Sequence, residues 1–460
     1  MASDKEEGKG ETRSRTPNSK EFLDYISSGW QESKSETISE SEAASFAKDR
    51  RDQVAKAFPN KLVVIEAGAP KTRSNDTEYR YRPHAAFAHL TGWGSQTVPD
   101  SVLVIDTVQS NQILFLRPTA GKDSDEFFAN PAIGEFWVGA RPTLEDVSTL
   151  LGIATRDLAE LEDYIGKQDT VTLEDSDLAQ FVSELRLVKD SYEIEQMRQA
   201  VASSIRGFED IVRVLPKAAA TPRGERVIET AFFSRARLEG NDLGYETIAA
   251  AGKNACILHW ITNHGPVKIG ELVLVDAGVE IDSLYTADIT RTLPVNGKFS
   301  EAQLEVYLAV LEAADAAFAV AKPGIKFREI HEAAMKVIAK KVAEWGILPV
   351  SAEESLEADK QFHRRWMVHG TSHHLGLDVH DCAQARKEMY LDAELEEGMV
   401  FTIEPGLYFH ESDLLAPERF RGIGIRIEDD VLVTKDGVEN LSAKLPRTPA
   451  EIESWMASLS

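Results

Sequence analysis

The chain is organised around Val275-Asp-Ala-Gly-Val-Glu-Ile-Asp-Ser-Leu-Tyr-Thr-Ala-Asp-Ile-Thr-Arg291. Residues Glu271–Asp276 form an apolar run that ends in a carboxylate, which is typical of a buried strand. Residues Tyr285–Thr292 alternate and are rich in β-branched side chains, and Asp282-Ser283 between the two runs favours a turn. The pattern predicts a hairpin that places the carboxylate of Asp288 close to the one that ends the first strand.

Two neighbouring carboxylates repel each other, and their burial without a counter-ion is costly. We therefore expect one or two hard cations between Asp276 and Asp288, with further ligands downstream.

Bulk composition restricts the function classes. The 460 residues exceed one ordinary core and predict two domains. A net charge of −25 argues against binding to nucleic acid or to an anionic membrane. The two cysteines do not suggest a disulfide scaffold, so we expect a cytoplasmic protein. We see no signal peptide and no apolar run of about 18 residues that could cross a membrane.

The first domain is expected to be a smaller three-layer α/β unit over residues 19–187, after a disordered tail at residues 1–18. Its predicted elements are helical spacing within 19–58, strands at 62–65, 101–105 and 112–116, and helices at 144–151 and 157–164.

The second domain is expected over residues 188–460. Ser183–Lys189 leads into a long helix that Asp190 or Ser191 can cap, so we place the boundary near residue 188. Helices mixed with antiparallel strands follow, which is an α+β pattern. The predicted helices are 221–239, 300–320 and 326–345.

Histidines are concentrated in this second domain, where nine of the eleven follow residue 258. Met367–His380 contains four of them, and its glycines at 370 and 376 argue against a plain helix. A lone histidine is more often structural than a ligand, and the His-Glu-x-x-His pattern of helical zinc sites is absent. The segment is therefore either a metal-binding loop or a loop with scattered histidines.

Two further acids lie on predicted strands. The stretch Val400–Gly406 is predicted to contain an apolar strand that ends in Glu404. Gly422–Val433 alternates so that Arg426 and Glu428 share one face. Each has a structural alternative, a solvent-facing acid for the first and a buried ion pair for the second. The resulting oxygen-rich donor set suits Mn²⁺ or a similar divalent ion, and its four carboxylates balance two such ions. This donor set is Asp276, Asp288, His373, Glu404 and Glu428.

These residues and the segments that contain them resemble the metal-dependent aminopeptidase P and prolidase family. The matching stretches are Cys256–His259, Asp276–Glu280, Ala287–Thr292, Val368–His373, Gly376–His380, Glu404–Tyr408 and Gly422–Asp430. The resemblance implies a pita-bread catalytic domain, two divalent ions (most favourably Mn²⁺) and hydrolysis of the bond before a proline at position two of a peptide.

The resemblance also implies roles for individual residues. Asp276, Asp288, His373, Glu404 and Glu428 would bind the metals, with Asp288 and Glu428 bridging them. His259, His369 and His380 would line the pocket, Glu404 would relay a proton, Arg426 would orient a carboxylate behind the ligands, and Tyr408 would contact substrate. One departure is visible, since eleven residues rather than the usual ten separate Asp276 from Asp288. We place the extra residue in the turn, because inside a strand it would reverse the face of Asp288.

Rival functions remain open at this stage. Prolidase shares the metal set and cleaves only Xaa-Pro dipeptides, and the sequence after Glu404 favours the aminopeptidase. Methionine aminopeptidase lacks the large leading domain, creatinase-like enzymes lack the metals, and a non-enzymatic binding scaffold would lack ligands. The resemblance further implies a homodimer or homotetramer in which Trp137 reaches a neighbouring active site.

Overall fold

The structure is a computed structural model that describes residues 19–31, 38–75, 77–122 and 124–459. The tail predicted for residues 1–18 lies outside this part of the chain. The chain separates into two compact units, Met1–Ala179 and Gln180–Ser460. This division lies a little before the boundary predicted near residue 188, and the domain limits stay a prediction. Among the described residues, no helix is long and apolar enough to cross a membrane.

The amino-terminal unit contains short helices and a mixed sheet. Its helices are α1 (Lys20–Ile26), α2 (Ala43–Ala57), α3 (Ala85–Thr91), α4 (Glu126–Ala129), α5 (Glu135–Val138), α6 (Leu144–Leu151), α7 (Leu161–Ile165) and α8 (Ser176–Glu184), which continues across the division. Its strands are β1 (Leu62–Glu66), β2 (Thr72–Ser74), β3 (Thr77–Glu78), β4 (Val102–Asp106), β5 (Asn111–Leu116), β6 (Ala154–Asp157) and β7 (Thr170–Val171). Five strands form one sheet in the order β6-β5-β4-β1-β7.

The three strands predicted in this unit and the helix at 144–151 are confirmed. The helix predicted at 157–164 is wrong in its start, because Ala154–Asp157 is a strand and a 3₁₀ turn precedes α7. Strand β4 is buried along its whole length, which is typical of a sheet covered on both faces. Helices α2 and α3 contact β4 and β1, and residues 158–165 pack on the cluster around Phe115.

The carboxy-terminal unit combines long helices with antiparallel strands. Its helices are α9 (Ser191–Ala219), α10 (Gly224–Glu239), α11 (Glu301–Val320), α12 (Arg328–Glu344), α13 (Ala352–Ser355), α14 (Lys387–Tyr390) and α15 (Pro449–Leu459). Its strands are β8 (Asp242–Leu243), β9 (Ile248–Ala251), β10 (Leu272–Ala277), β11 (Val279–Glu280), β12 (Ile289–Pro294), β13 (Val400–Ile403), β14 (Gly406–Phe409), β15 (Ile423–Arg426), β16 (Asp429–Thr434) and β17 (Gly437–Asn440). The unit contains two three-stranded sheets, β12-β10-β9 and β13-β16-β17. Helices α9 and α10 pack together, and α10 contacts β9 of the first sheet. Helices α11 and α12 also pack together, and α11 contacts β13 of the second sheet.

The start of α9 confirms the predicted cap and shows that Asp190 provides it. The Asp190 side chain accepts a hydrogen bond from the Glu193 backbone N–H, and the Glu193 carboxylate accepts one from the Asp190 N–H, both at 3.0 Å. This reciprocal capping box satisfies two donors that a helix end otherwise leaves free.

The predicted hairpin is present, but its second strand begins later than expected. Strands β10 and β12 pair with Asp276 opposite Thr290. The strand starts at Ile289 rather than Tyr285, because the intervening chain forms its own turn, in which the Ile281 N–H donates to the Tyr285 carbonyl at 3.0 Å. Leu284 in this turn has a left-handed φ of 73°, so the turn accommodates the long connection without disturbing the paired strands.

The strand predicted over Gly422–Val433 is wrong as a single element. Strand β15 pairs with β14, whereas β16 pairs with β13, and the chain changes sheets at Ile427-Glu428. The chain makes a similar change between β13 and β14 at Glu404-Pro405. Glu404 and Glu428 therefore both lie at corners where the chain passes from one sheet to another. Because the strands before and after each corner belong to different sheets, both sheets fix the backbone that carries the glutamate side chain.

Candidate active site

A cavity of about 520 Å³ opens in the carboxy-terminal unit. The predicted site residues in its wall are His259, Asp276, Asp288, His369, His373, His380, Glu404, Arg426 and Glu428. Strand β10 contributes Asp276 and the start of β12 follows Asp288, while the two sheet corners supply both glutamates. Residues that are distant in sequence thus converge in one concave site.

Three of the predicted ligands form a compact donor group. One donor atom from each of Asp288, His373 and Glu428 lies within 4.8 Å of the others. His373 Nε2 is 3.3 Å from Asp288 Oδ2 and 3.7 Å from Glu404 Oε1. The His374 carbonyl lies 3.1 Å from His373 Nδ1 and accepts a hydrogen bond from it, which leaves Nε2 as the nitrogen available to a metal.

Arg426 contacts Asp276 directly and Glu428 through Thr290. Arg426 Nη2 donates to Asp276 Oδ2 at 2.5 Å, so Arg426 orients a predicted ligand itself rather than a carboxylate behind the ligands. Arg426 Nε also donates to Thr290 Oγ1 at 3.1 Å, and the Thr290 hydroxyl donates to Glu428 Oε2 at 2.6 Å. One guanidinium therefore fixes carboxylates on both sides of the site.

Tyr245 is a site residue that the sequence interpretation missed. Its hydroxyl lies 2.6 Å from Asp276 Oδ1 and 2.5 Å from Asp288 Oδ1. A phenol has one proton and can donate to only one of these carboxylates at a time. The second close oxygen pair then requires a shared proton or a cation, which fits a metal between the two aspartates.

The site holds several carboxylates that are largely shielded from water. Asp276, Asp288 and Glu428 are buried, and the Glu404 side chain keeps 16% exposure. Burial raises the pKa of Glu404 to about 7, with Asp288 and Asp276 adding to the rise against His373 and Arg426. Burial also raises the pKa of Asp276 and of Glu428, and neighbouring carboxylates contribute in both cases.

The pKa of the histidine next to these acids is also raised, which in its case favours the charged form. Burial alone lowers the pKa of His373, but the adjacent Asp288 and Glu404 carboxylates outweigh it and raise that pKa to about 9. The raised pKa values of the acids and of the histidine both reflect the excess of negative charge in the site, which bound cations would offset. The donor set therefore fits a divalent metal ion.

His369 is held in a defined orientation. Its Nδ1 lies 2.7 Å from the Gly370 carbonyl, and its Nε2 lies 2.7 Å from the Tyr408 hydroxyl. Arg426 Nη1 donates to the same hydroxyl at 3.0 Å, so the phenol proton points at His369. Burial, assisted by the charge of Arg426, lowers the pKa of His369 to about 3, so the ring is neutral and both nitrogens are engaged.

His380 and His259 face the cavity more freely, since both are exposed and line it. The His380 ring lies perpendicular to that of His373 with centroids 4.5 Å apart. The partial burial of the His380 ring and the nearby His373 lower the pKa of His380, which favours a neutral ring with one N–H. His380 can therefore donate a hydrogen bond without carrying charge.

Buried charges support the loops that carry these histidines. Asp381, next to His380, accepts a hydrogen bond from Lys189 Nζ at 3.1 Å and lies 3.2 Å from Arg186 Nε. Glu225 of α10 accepts hydrogen bonds from the Ala251 and Gly265 N–H groups and from the Asn254 and Trp260 side chains. Residues 251–265, which include His259, are thereby tied to α10.

Comparison with known proteins identifies the family. Residues 195–435 match the model of metallopeptidase family M24, and residues 47–172 match the aminopeptidase P, N-terminal domain. The chain belongs to metallopeptidase family M24. The predicted resemblance and the pita-bread fold with a leading α/β domain are thereby confirmed.

Individual relatives align with this chain over nearly its whole length. The chain is 46% identical to Xaa-Pro aminopeptidase 1 of Streptomyces coelicolor, over 96% of this chain and 93% of that protein. The structure of Pseudomonas aeruginosa aminopeptidase PepP superposes with a TM-score of 0.79 and 29% identity, covering 90% of this chain and 98% of the other. Zn-substituted Escherichia coli aminopeptidase P in complex with product gives a TM-score of 0.79 and 29% identity, covering 92% and 100%.

Two predicted site residues lie outside the cavity wall. Tyr408 is buried behind His369 and reaches the site through its hydroxyl. Trp137 belongs to the amino-terminal unit, where its side chain is half exposed and its Nε1 donates to the Phe128 carbonyl at 2.8 Å. Its role at a substrate stays a prediction.

Proposed function

We infer that this chain is a metal-dependent aminopeptidase that hydrolyses the peptide bond between an N-terminal residue and a following proline. The observation that carries this inference is one cavity that combines an oxygen-rich metal donor set with neutral histidines, in an M24 chain closely similar to an Xaa-Pro aminopeptidase.

Asp276, Asp288, His373, Glu404 and Glu428 are proposed to hold two divalent ions. When bound, the ions would polarise the scissile carbonyl and lower the pKa of the attacking water. Hard carboxylate oxygens with a single imidazole favour Mn²⁺ over metals that prefer thiolates, so we propose Mn²⁺. The proximity of the Asp288, His373 and Glu428 donor atoms supports a metal site at this position.

The oxyanion that develops at the scissile carbonyl requires a hydrogen-bond donor. His380 is proposed for this role because its neutral ring faces the cavity. His369 is proposed to position substrate rather than to donate, because the Gly370 carbonyl and the Tyr408 hydroxyl occupy both its nitrogens. His259, on the loop tied to α10, is proposed to line the proline side of the cavity.

The leaving group is a proline nitrogen, which has no hydrogen in the peptide bond and must gain one on cleavage. Glu404 is proposed to deliver this proton. Its position in the cavity wall, beside His369 and His373, supports a role as a proton relay. Because the substrate bond offers no amide donor, recognition must depend on the shape of the proline ring.

Assembly and location are further proposals. A homodimer or homotetramer in which Trp137 covers a neighbouring site is supported by the half-exposed indole. Gel filtration of the wild type and of Trp137→Ala tests it, and a fully active monomer would exclude it. The cytoplasmic location expected from the cysteine usage remains a prediction.

The function is tested by product analysis with Leu-Pro-Ala, Leu-Pro and Leu-Ala-Ala. We expect free leucine from Leu-Pro-Ala, little cleavage of Leu-Pro and none of Leu-Ala-Ala. Cleavage of Leu-Pro alone would make the enzyme a prolidase, and equal cleavage of Leu-Ala-Ala would remove the requirement for proline.

A further inference from the structure

The catalytic cavity contains a carboxylate that the proposed mechanism does not use. Glu246 lines the cavity and is exposed. It directly follows Tyr245, whose hydroxyl contacts Asp276 and Asp288. Within the part of the chain that the structure describes, Glu246 has no hydrogen-bond or ion-pair partner. It is therefore available to a cationic group of a bound peptide.

A second cavity of about 570 Å³ adjoins the first and shares Tyr245 and Glu246 with it as a common wall. Phe233 and Leu243 supply apolar surface to this second cavity, and Phe233 is 40% exposed. A long side chain that reached past Glu246 from the catalytic cavity would find apolar surface to cover its aliphatic part.

The remaining charges of the second cavity are mainly negative. Its arginine, Arg226, pairs with Glu229 at 2.9 Å and donates to the Thr262 carbonyl at 2.7 Å, so its charge is already matched. Glu246 adds an acid to this wall, whereas Asp242, which also lines it, already accepts a hydrogen bond from the Leu243 N–H at 2.9 Å. An apolar surface that ends in acids complements lysine and arginine, whose long stems pack on apolar groups while their heads seek charge.

The proposed roles fix the direction of the peptide. The leaving proline nitrogen is placed at Glu404, which lies beside His373 and His369. Tyr245 contacts the carboxylates at the other end of the donor set, including Asp276. The residue before proline therefore extends towards Tyr245 and the carboxylate that follows it.

We propose that Glu246 selects peptides whose first residue is lysine or arginine. This proposal rests on the proposed function, because it requires a peptide with proline at position two in the cavity. An exposed charge pair contributes modestly, so we expect the loss of the Glu246 charge to reduce selectivity about fivefold. Salt screens such pairs, so the preference weakens as ionic strength rises.

The test compares kcat/KM for Arg-Pro-Ala, Leu-Pro-Ala and Glu-Pro-Ala. The wild type should prefer arginine to leucine and leucine to glutamate. Glu246→Gln should lower the arginine-to-leucine ratio about fivefold, and Glu246→Lys should favour Glu-Pro-Ala. Glu332→Gln is the matched control, because it removes the same charge from an exposed helix position outside both cavities and should keep the wild-type ratio.

The outcomes separate this proposal from the function on which it rests. Cleavage of all three peptides without preference, or an unchanged ratio in Glu246→Gln, would overturn the role of Glu246 and leave the aminopeptidase intact. Absence of cleavage of every peptide by the metal-loaded wild type would instead overturn the proposed function.

Discussion

Substitution of Tyr245 tests the site, because its hydroxyl contacts two predicted metal ligands, Asp276 and Asp288. The sequence alone does not predict these contacts. Tyr245→Phe removes the hydroxyl while keeping the ring. At 2.6 and 2.5 Å the contacts have the short lengths of hydrogen bonds to charged oxygens. One proton serves one such bond, which is worth about 1.5–3 kcal/mol. We therefore expect metal affinity and kcat/KM to fall by roughly 10- to 100-fold.

Mn²⁺ titration of metal-stripped protein and kcat/KM on Leu-Pro-Ala measure both quantities. Tyr285→Phe is the matched control, since Tyr285 also donates to a buried carboxylate, Glu193 at 2.8 Å, but lines no part of the cavity. It should reduce stability and leave metal affinity unchanged. A Tyr245→Phe variant with wild-type metal affinity and activity would refute the reasoning.

Four further predictions concern the cavity residues and the buried ion pair beside His380. Asp288→Ala should abolish metal-dependent activity, and hydrolysis of Leu-Pro-Ala by this variant would show that the ligand assignment is wrong. His380→Ala should lower kcat by about 10²–10³ with bound metal unchanged by elemental analysis, and normal turnover would contradict its donor role. Because Glu404 has a pKa of about 7 without metal, protons compete with Mn²⁺ as the pH falls through that value, so calorimetry should show weaker binding at lower pH. Lys189→Met leaves the buried Asp381 with less compensation and should cost about 3 kcal/mol in denaturant unfolding, part of which Asp381→Asn should restore; an unchanged midpoint would contradict this.

Local chemistry explains which parts of the fold are readable from the sequence. The capping box of Asp190 and the turn near Leu284 depend on residues within a few positions of each other, and a single hairpin connection brings the carboxylates of Asp276 and Asp288 together. Such features need no knowledge of distant partners. The helix predicted over residues 144–151 is confirmed in its bounds for the same reason.

The features that could not be predicted from the sequence depend on pairing between strands that are distant along the chain. Tyr245 reaches the site because β9 pairs with β10, with Ile248 opposite Asp276, and an uncharged tyrosine before a short strand gives no local sign of this. The alternation through Gly422–Val433 predicts a strand but cannot show that its two halves pair with different partners. The corner that aims Glu428 is therefore visible only in the folded chain.

The measurement that tests the central claim most directly is a titration of metal-stripped protein with Mn²⁺ while leucine release from Leu-Pro-Ala is followed. The proposed function predicts no hydrolysis before metal is added, and activity that rises until two ions are bound per chain. Full activity in the stripped protein, or no leucine release at any metal concentration, would contradict it.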